Sequence, residues 1–327
     1  MFRVLGKRIK IILILVVMIY IGLASYIVFR IIESRSMDMQ HQLSVQYTEQ
    51  QNKNAQLYLQ WLEETTRLVL NHPGLQDALQ SNHYDDTISP VLDGIRSSNL
   101  DISAIVIYGE QGAVYSTSSI SALKPFADIK QDTDFSRFVT SKKTSQWTIQ
   151  SPEKLVSISS DPRQMLFYME KISDESGKLR GILFLETNLS KLYDFYRSSD
   201  QTIYGNNQIY FFTENNQLQG ADKLGSEVKE EVRRTADLQS SKENMIMRES
   251  RNGMIMLYRL YKSNDRMVIL INTDKLNEYL KWLQNTLLIV NSVIALLFIL
   301  LIIQLSSSIS EPLKQLYRKM RSTMQEP

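Results

Sequence analysis

Cysteine is absent from this 327-residue sequence. Its absence excludes disulfide frameworks, thiolate catalysis, iron–sulfur clusters and zinc sites that use cysteine. Histidine occurs only as His41, His72 and His83, and no two of them stand three or four residues apart. A histidine-rich metal centre therefore has too few ligands. We expect neither a metal site nor a cofactor.

A large excess of charge of either sign is also missing. The chain has 37 Lys and Arg against 35 Asp and Glu, a net charge of +2 at pH 7. Nucleic-acid binders need a dense basic surface that displaces phosphate counterions, so no nucleic-acid partner is expected. Hydrophobic residues make up 43% of the chain, enough for a packed core. The length corresponds to about two domains.

Long apolar runs occur at both ends of the chain. Residues 11–29 carry no charge, and as a helix they would extend about 28 Å, close to the ~30 Å of bilayer hydrocarbon. Residues 282–310 are also uncharged, and Tyr279 and Trp282 stand at the start, where aromatic residues favour the membrane boundary. These runs predict transmembrane helices at 11–32 and 282–305. A cleaved signal peptide is the alternative for the first and a buried core helix for the second.

Basic residues next to the two runs predict the orientation. The tail at 1–10 has four basic residues and no acid, and the tail at 306–327 is also basic overall. The positive-inside rule then places both tails in the cytoplasm. Residues 33–281, which are mildly acidic, would face the outside of a plasma membrane.

The first apolar run continues into a predicted stalk helix at 33–74. No proline or glycine occurs between residues 34 and 70, and side chains recur there in steps of three and four. The positions are Met39, Leu43, Tyr47, Asn54 (a polar break), Leu57, Trp61, Thr65 and Leu68. This face predicts packing along a domain, against a partner copy, or both. The sequence His72, Pro73, Gly74 is predicted to stop the helix.

Two sets of short β-rich runs follow the stalk, with turn residues between them. The first set has a hairpin at 102–117, further strands at 147–149, 155–159, 164–172 and 179–187, and a helix from Ser190. The second set, at 208–213, 245–249, 254–261 and 267–272, is a weaker echo. The pattern predicts an α+β fold with two antiparallel-sheet lobes, a membrane-distal lobe at 75–203 and a membrane-proximal lobe at 204–281.

This order of elements resembles the double Cache sensor domain. Residues 167–195 look like its strand, Asp/Gly turn, strand and helix, and Gly177 and Gly181 fall where such domains keep small residues. The resemblance covers about residues 34–280. It implies a long stalk helix and two tandem PAS-like lobes between two transmembrane helices.

The segment at 306–327 resembles the first helix of a HAMP domain. Apolar residues at Ile309, Leu313, Leu316 and Met320 follow the four-three spacing of a coiled-coil seam, and Pro312 is tolerated near a helix start. An amphipathic basic helix on the inner leaflet is the alternative. A HAMP domain needs a second helix after a connector, so either the sequence belongs to a longer protein or the segment is not a HAMP helix.

Together these segments resemble the sensory half of a two-component sensor histidine kinase, most closely the YesM-like kinases of Gram-positive bacteria. The resemblance implies a homodimer, a response-regulator partner reached through a kinase domain outside this chain, and a carbohydrate or other small-metabolite ligand or an extracytoplasmic binding protein. The chain itself has no phosphoacceptor or ATP-binding motif, and we assign it no catalytic residue. A chemotaxis receptor or a transmembrane diguanylate cyclase would share the same exterior.

An extracytoplasmic enzyme is the alternative outside signalling. No arrangement of nucleophile, base and acid is evident in the sequence. The acidic residues Asp85, Asp86, Asp132 and Asp134 are interpreted as parts of solvated loops.

The resemblance also supplies candidate site residues. By analogy, a ligand would contact Tyr115, Trp147, Tyr168 and Glu170, since aromatic walls with a few polar groups suit sugars. Ordinary core packing is the alternative for these residues, and the amino-acid-binding signature of some double Cache domains is not evident around Trp147. The predicted signal-transmission residues are Asn291, Pro312, Leu313, Leu316 and Met320. Asn291 would hydrogen-bond either across a dimer or to the first transmembrane helix.

Overall fold

The computed structural model describes residues 2–81, 84–120, 122–150, 165–196, 208–214, 217–219, 225–238, 244–250 and 253–323. Of residues 2–7, 9–10 and 306–323 it describes the backbone alone. The chain divides into two compact units, one formed by Met1–Val45 with Asp274–Pro327 and the other by Gln46–Thr273.

Helix α1 (Phe2–Leu70) runs without interruption through the first predicted span and the predicted stalk. Its buried apolar residues in the second unit are Ala55, Leu59, Leu62 and Val69. The predicted face is a different one, because Leu57, Trp61 and Leu68 are 55%, 52% and 66% exposed. These three residues therefore do not pack along the domain within one copy of the chain, and packing against a partner copy stays a prediction. The buried face escaped the pattern because it includes polar residues such as Thr66, which is fully buried.

Helix α1 ends just before the predicted stop. Helix α2 (Pro73–Ser81) begins at the proline itself, and α3 (Ile88–Ser98) follows. Proline at the first helical position loses no backbone hydrogen bond, so Pro73 can start the new helix. The change of direction at residues 71–72 separates the stalk from the first sheet.

The first lobe contains a five-stranded antiparallel sheet. Its strands are β1 (Ile102–Gly109), β2 (Val114–Ser116), β3 (Ser145–Gln150), β4 (Met165–Ser173) and β5 (Leu179–Asn188), in the order β2-β1-β5-β4-β3. The predicted hairpin and the other predicted strands are confirmed, except that the strand predicted at 155–159 lies outside the described residues. Two short helices not predicted from the sequence, α4 (Phe126–Lys130) and α5 (Thr133–Thr140), lie between β2 and β3 in the chain.

Two glycines allow the β4–β5 hairpin to form beside β1. Gly177 lies in the turn with a φ of 80°, a left-handed conformation that strains other residues. A Cβ on Gly181 would lie 2.7 Å from the carbonyl oxygen of Tyr108 on β1. Asp174 stabilises the same turn by pairing with Arg180 at 2.6 Å. A turn and a close backbone approach thus explain the two small residues.

Side chains alternate between the two faces of this sheet. On one face, α4 and α5 cover a cluster that includes Tyr108, Phe135, Phe138, Phe167 and Phe184. The alternate residues face α1, α2 and α3, and Thr66 of α1 hydrogen-bonds to Glu170 on that side. Aromatic rings therefore occupy much of the space between helices α4 and α5 and the face of the sheet that they cover, here called the α5 face.

The second lobe repeats the first. After α6 (Ser190–Tyr196), its strands are β6 (Gln208–Phe212), β7 (Leu218–Gln219), β8 (Met245–Ser250), β9 (Gly253–Arg259) and β10 (Arg266–Asn272). Their order, β7-β6-β10-β9-β8, is the order of the first sheet when each sheet is numbered from its own first strand. Helix α7 (Ser226–Leu238) covers one face through Val232 and Ala236. The predicted echo between the two strand sets is confirmed.

Helix α8 (Asp274–Thr323) begins directly after β10 and contains the second apolar run. In the other compact unit, α1 and α8 each carry a stretch long and apolar enough to span a membrane. Asn291 Nδ2 donates a hydrogen bond to Ser25 Oγ at 2.6 Å, so this polar residue faces the first helix. The expectation that Pro312 lies near a helix start is wrong, because α8 continues through it to Thr323. A proline inside a helix removes one backbone hydrogen bond but need not end the helix.

Candidate functional site

The turn between β9 and β10 docks on the edge of the first lobe. Strand β3 is the edge strand of the first sheet, and alternate N–H groups along it point away from β4. Trp147 N donates to Lys262 O at 3.1 Å, and Ile149 N donates to Asp265 Oδ2 at 2.8 Å. Lys262 has a φ of 47°, which turns the chain sharply at this point. The second lobe thereby covers an edge that would otherwise be open to another strand.

Asp265 is the centre of this junction. It is 3% exposed, and its carboxylate accepts hydrogen bonds from Ile149 N in the first lobe and from Glu214 N and Ser263 Oγ in the second. Burial raises the pKa of Asp265 above its ordinary value, although these hydrogen bonds oppose the shift. One side chain therefore connects an edge strand of the first lobe with two loops of the second.

A cavity of about 420 Å³ lies beside this junction, between the two lobes. Its volume falls within the range of small-molecule sites, about 300–1,000 Å³. The first lobe lines it from α5, from the segment after α5, and from β3 and β4. The second lobe lines it from Thr213, Glu214, Gln217 and Gln219 and from the turn that carries Asn264 and Asp265. All but three of the described lining residues are polar or charged; the exceptions are Phe138, Ile149 and Met169.

The charged side chains in the cavity have protein partners. Arg137 lies 3.0 Å from Glu214 across the two lobes and 4.0 Å from Asp134 on its own helix. Lys143 Nζ donates to Asn264 Oδ1 at 2.9 Å and to Gln146 Oε1 at 3.3 Å. The cavity therefore contains both signs of charge in paired form.

Several amide side chains also line the cavity, and each is held at one end. Gln150 Nε2 donates to Asp134 Oδ2 at 3.0 Å, and Gln219 Nε2 donates to Gln217 Oε1 at 3.4 Å. Gln146 is 8% exposed, and its Nε2 has no hydrogen-bond partner among the described residues. The amide array thus has one donor that no described residue accepts from.

A smaller pocket adjoins the cavity on the α5 face of the first sheet. It measures about 40 Å³ and shares Thr148, Gln150 and Met169 with the larger cavity. One water molecule takes up about 30 Å³ of liquid. The smaller pocket therefore has room for little more than a solvent molecule. A further pocket of about 240 Å³ lies on the same face, and its lining includes Phe126, Phe135, Val139 and Ile182.

Three of the four predicted ligand residues lie together, but on the α1 side of the first sheet. The ring centroids of Trp147 and Tyr168 are 5.0 Å apart, and Tyr168 OH donates a hydrogen bond to Glu170 Oε2 at 2.9 Å. Trp147 Nε1 donates to Glu63 Oε1 of the stalk at 2.9 Å, and Lys262 Nζ lies 2.6 Å from Glu63 Oε2. Burial raises the pKa of Glu170 above its ordinary value.

Tyr115 lies apart from that group. Its hydroxyl accepts a hydrogen bond from Asp85 N at 3.1 Å, and its ring stacks on Tyr84 with the centroids 5.1 Å apart. None of the four predicted residues lines the interlobe cavity or the pocket that adjoins it. Their role in ligand binding stays a prediction.

The predicted signal-transmission residues all lie on α8. The structure brings Asn291 to Ser25. Residues 312, 313, 316 and 320 are helical, and their side chains are outside the described part of the chain.

Sequence reasoning missed the cavity residues. Asp132 and Asp134 were expected in solvated loops, but Asp132 caps the start of α5 by accepting hydrogen bonds from Asp134 N and Phe135 N. Asp134 lines the cavity. The available signal was local: an aspartate followed by apolar residues three and four positions apart, as at Phe135, Phe138 and Val139, is typical of a helix start. That Asp134, Glu214 and Asp265 meet could not be read from the sequence, because they are far apart in the chain.

Comparison with known proteins gives a match in structure but not in sequence. Neither a protein-family model nor a curated protein matches the chain. The extracellular domain of vpHK1S-Z8, a protein assigned as a histidine kinase, is similar with a TM-score of 0.50 at 13% identity, over 76% of this chain and 98% of that domain.

Two further structures are similar at lower scores. The ligand-binding domain of the Pseudomonas fluorescens chemoreceptor CtaA, solved with L-isoleucine, has a TM-score of 0.46 at 11% identity, over 69% of this chain and 90% of that one. A domain of a protein assigned to the sensory box/GGDEF family in Vibrio parahaemolyticus has a TM-score of 0.49 at 11% identity, over 73% of this chain and 96% of that one.

The α+β architecture, a long N-terminal helix followed by two antiparallel sheets, is similar to the fold of the extracellular domain of vpHK1S-Z8.

Proposed function

We propose that this chain is the sensory portion of a transmembrane signal receptor that binds a small molecule outside the cell. One observation supports this proposal above the others: the repeated two-sheet domain at 46–273 is connected at both ends to helices that carry a long apolar stretch. Soluble proteins rarely expose two apolar stretches of this length to water.

The proposed receptor lies in the plasma membrane with both termini in the cytoplasm and residues 33–281 outside. The basic residues of the two tails support this orientation. We place it in a Gram-positive bacterium, on the strength of the resemblance to YesM-like kinases alone.

The proposed output is that of a sensor histidine kinase in a two-component system. Its phosphorylated partner would be a response regulator, reached through a kinase domain that is not part of this sequence. The four-three spacing of Leu313, Leu316 and Met320 supports a HAMP-like segment at 306–327, and the fold shared with the extracellular domain of vpHK1S-Z8 is consistent with this output.

The receptor is proposed to act as a homodimer. The exposed residues Leu57, Trp61 and Leu68 lie on one face of α1, and steps of three or four recur along it. Two copies anchored in one membrane have parallel stalks, so each face can meet its equivalent in the other copy.

The ligand is proposed to be a carbohydrate or another small metabolite, received directly or on an extracytoplasmic binding protein. Binding changes the packing of the lobes against α1, and a displacement of α8 transmits the change past Asn291 to residues 312–320. A ligand shifts such an equilibrium only by its difference in affinity between the two states.

Cysteine labelling tests the membrane topology on which the proposal depends, because the natural chain contains no cysteine. Leu100 is 97% exposed in the domain, and Arg8 lies exposed in the N-terminal tail. A membrane-impermeant maleimide should label Leu100→Cys in intact cells and Arg8→Cys only after permeabilisation. Labelling of Arg8→Cys in intact cells, or protection of Leu100→Cys, would overturn the receptor proposal.

A further inference from the structure

We propose that the interlobe cavity binds a neutral, polyhydroxylated small molecule such as a monosaccharide, a disaccharide or a polyol, a role that rests on the receptor function proposed above. This places the ligand between the lobes, on the opposite face of the first sheet from Trp147, Tyr168 and Glu170. The hydrogen-bonding atoms that line the cavity indicate this class of ligand.

The amide side chains present a mixed set of donors and acceptors. Lys143 holds the oxygens of Gln146 and Asn264, so their amide nitrogens remain as donors. Asp134 holds the nitrogen of Gln150, so its oxygen remains as an acceptor. A hydroxyl group both donates and accepts, and adjacent hydroxyls on a sugar need such a mixture.

The second lobe adds one group of each kind. The Gln219 nitrogen donates to the Gln217 oxygen, which leaves the Gln217 nitrogen as a donor and the Gln219 oxygen as an acceptor among the described residues. Groups from both lobes can therefore engage one ligand. A ligand that hydrogen-bonds to both lobes adds a second connection between them, beside the one that Asp265 provides.

The charges of the cavity do not favour a charged ligand. Anions are recognised by arginine or lysine groups that are available for bidentate or charge-assisted hydrogen bonds. Here Arg137 is paired with Glu214 at 3.0 Å, and Lys143 is held between two amide oxygens. A carboxylate or phosphate would have to break these pairs, whereas a neutral hydroxylated molecule leaves them in place.

Three apolar side chains border the site. Phe138 and Met169, which are 2% and 5% exposed, line the first-lobe side of the cavity, and Ile149 lies beside them. Because these side chains are almost fully buried, the polar groups of the cavity supply most of the contacts with a ligand. Small-molecule sites commonly combine apolar lining with a few placed polar groups.

Thermal-shift and calorimetric titrations of the full chain in lipid nanodiscs test this inference. The panel contains glucose, xylose, maltose, trehalose, myo-inositol and mannitol as neutral hydroxylated probes, with isoleucine, serine, succinate and glucose 6-phosphate as charged ones. We expect a melting shift from at least one neutral probe and none from the charged probes.

Variants then locate the binding site. Gln150→Ala and Gln217→Ala should each weaken the Kd of the neutral probe by about tenfold, the effect of one lost hydrogen bond. Gln131→Ala, at an exposed glutamine outside the cavity, is the matched control and should leave the Kd unchanged. Melting temperatures without probe show whether each variant is folded, and Gln146→Ala provides a third test if one of them is not.

The outcomes separate this inference from the receptor function. Binding of a charged probe alone, or neutral binding that survives the glutamine variants and is lost in Tyr168→Phe or Glu170→Gln, would overturn the inference and leave the receptor proposal in place. The absence of a shift with every probe would also overturn it. Failure of the receptor proposal would instead appear in the cysteine labelling, whatever the titrations show.

Discussion

Replacing Asp265 with alanine should separate the two lobes energetically. The substitution leaves the buried backbone N–H group of Ile149 and the partly buried one of Glu214 without their acceptor. A buried donor left unsatisfied costs about 1–3 kcal/mol, and a partly buried one costs less. Part of that loss is offset, because burial raises the pKa of Asp265 and the carboxylate is therefore itself unfavourable to bury.

The expected net loss for Asp265→Ala is about 3 kcal/mol of unfolding free energy. In a domain of 150–250 residues that corresponds to a melting temperature lower by about 6–12 °C. Asp265→Asn keeps one acceptor oxygen and should lose about half as much. Asp77→Ala, at an exposed aspartate on α2, is the control and should change stability by less than about 0.5 kcal/mol.

Differential scanning calorimetry of the full chain measures the stability change, and amide hydrogen exchange locates it. The amides of Ile149 and Glu214 should exchange faster in Asp265→Ala, while the core amide of Phe184 on β5 should change only with global stability. If Asp265→Ala matched Asp77→Ala in melting temperature, the carboxylate would not connect the lobes, and the reasoning would be refuted.

Three further predictions concern Glu170 on the first sheet, Asn291 on α8 and Trp61 on the stalk. Burial raises the pKa of Glu170, so the folded chain holds the carboxyl proton more tightly than the unfolded chain does. The stability of the wild type relative to Glu170→Gln should therefore fall as the pH rises from the ordinary pKa of 4.5 through the raised pKa of the folded chain. Parallel pH profiles of the two proteins in chemical denaturation would contradict this. Asn291→Leu removes the hydrogen bond to Ser25 and should weaken the pairing of α8 with α1 by about 0.6 kcal/mol. A double-mutant cycle with Ser25→Ala in micelles measures this coupling, and purely additive effects of the two substitutions would contradict the prediction. Trp61→Glu puts a charge on the exposed face of the stalk and should shift a dimer toward monomer. Light scattering of the detergent-solubilised protein measures the mass of the particle, and Trp61→Phe should leave that mass unchanged. An unchanged mass for Trp61→Glu would argue against this face as the dimer interface.

Much of the fold could be predicted from the sequence because its signals are local. The strand at 102–108, the turn at 109–112 and the strand at 113–117 are contiguous, and alternation and turn residues identify them directly. The repeated strand set at 208–272 carries the same kind of signal. The short helices α4 and α5 were missed because a helix of five to eight residues has too few turns to establish a period.

The face of α1 that packs on the domain could not be predicted in the same way. Two neighbouring faces of that helix carry apolar residues, and periodicity alone favours the one with Leu57, Trp61 and Leu68. The sheet instead lies against the face with Leu59 and Leu62, together with polar residues whose partners come from other elements. Glu63 is tolerated there because Trp147 and Lys262 bind its two oxygens.

The sequence by itself determined the α+β strand pattern and the two apolar stretches: long uncharged apolar runs and period-two strands need only neighbouring residues to be recognised. Only the tertiary structure decided where the candidate site lies. The sheet separates its two faces, so Trp147 points to α1 whereas its neighbours Gln146 and Thr148 line the cavity. The carboxylates and amides of that cavity come from two lobes joined by the turn at Asp265, and their proximity exists only after both sheets have formed.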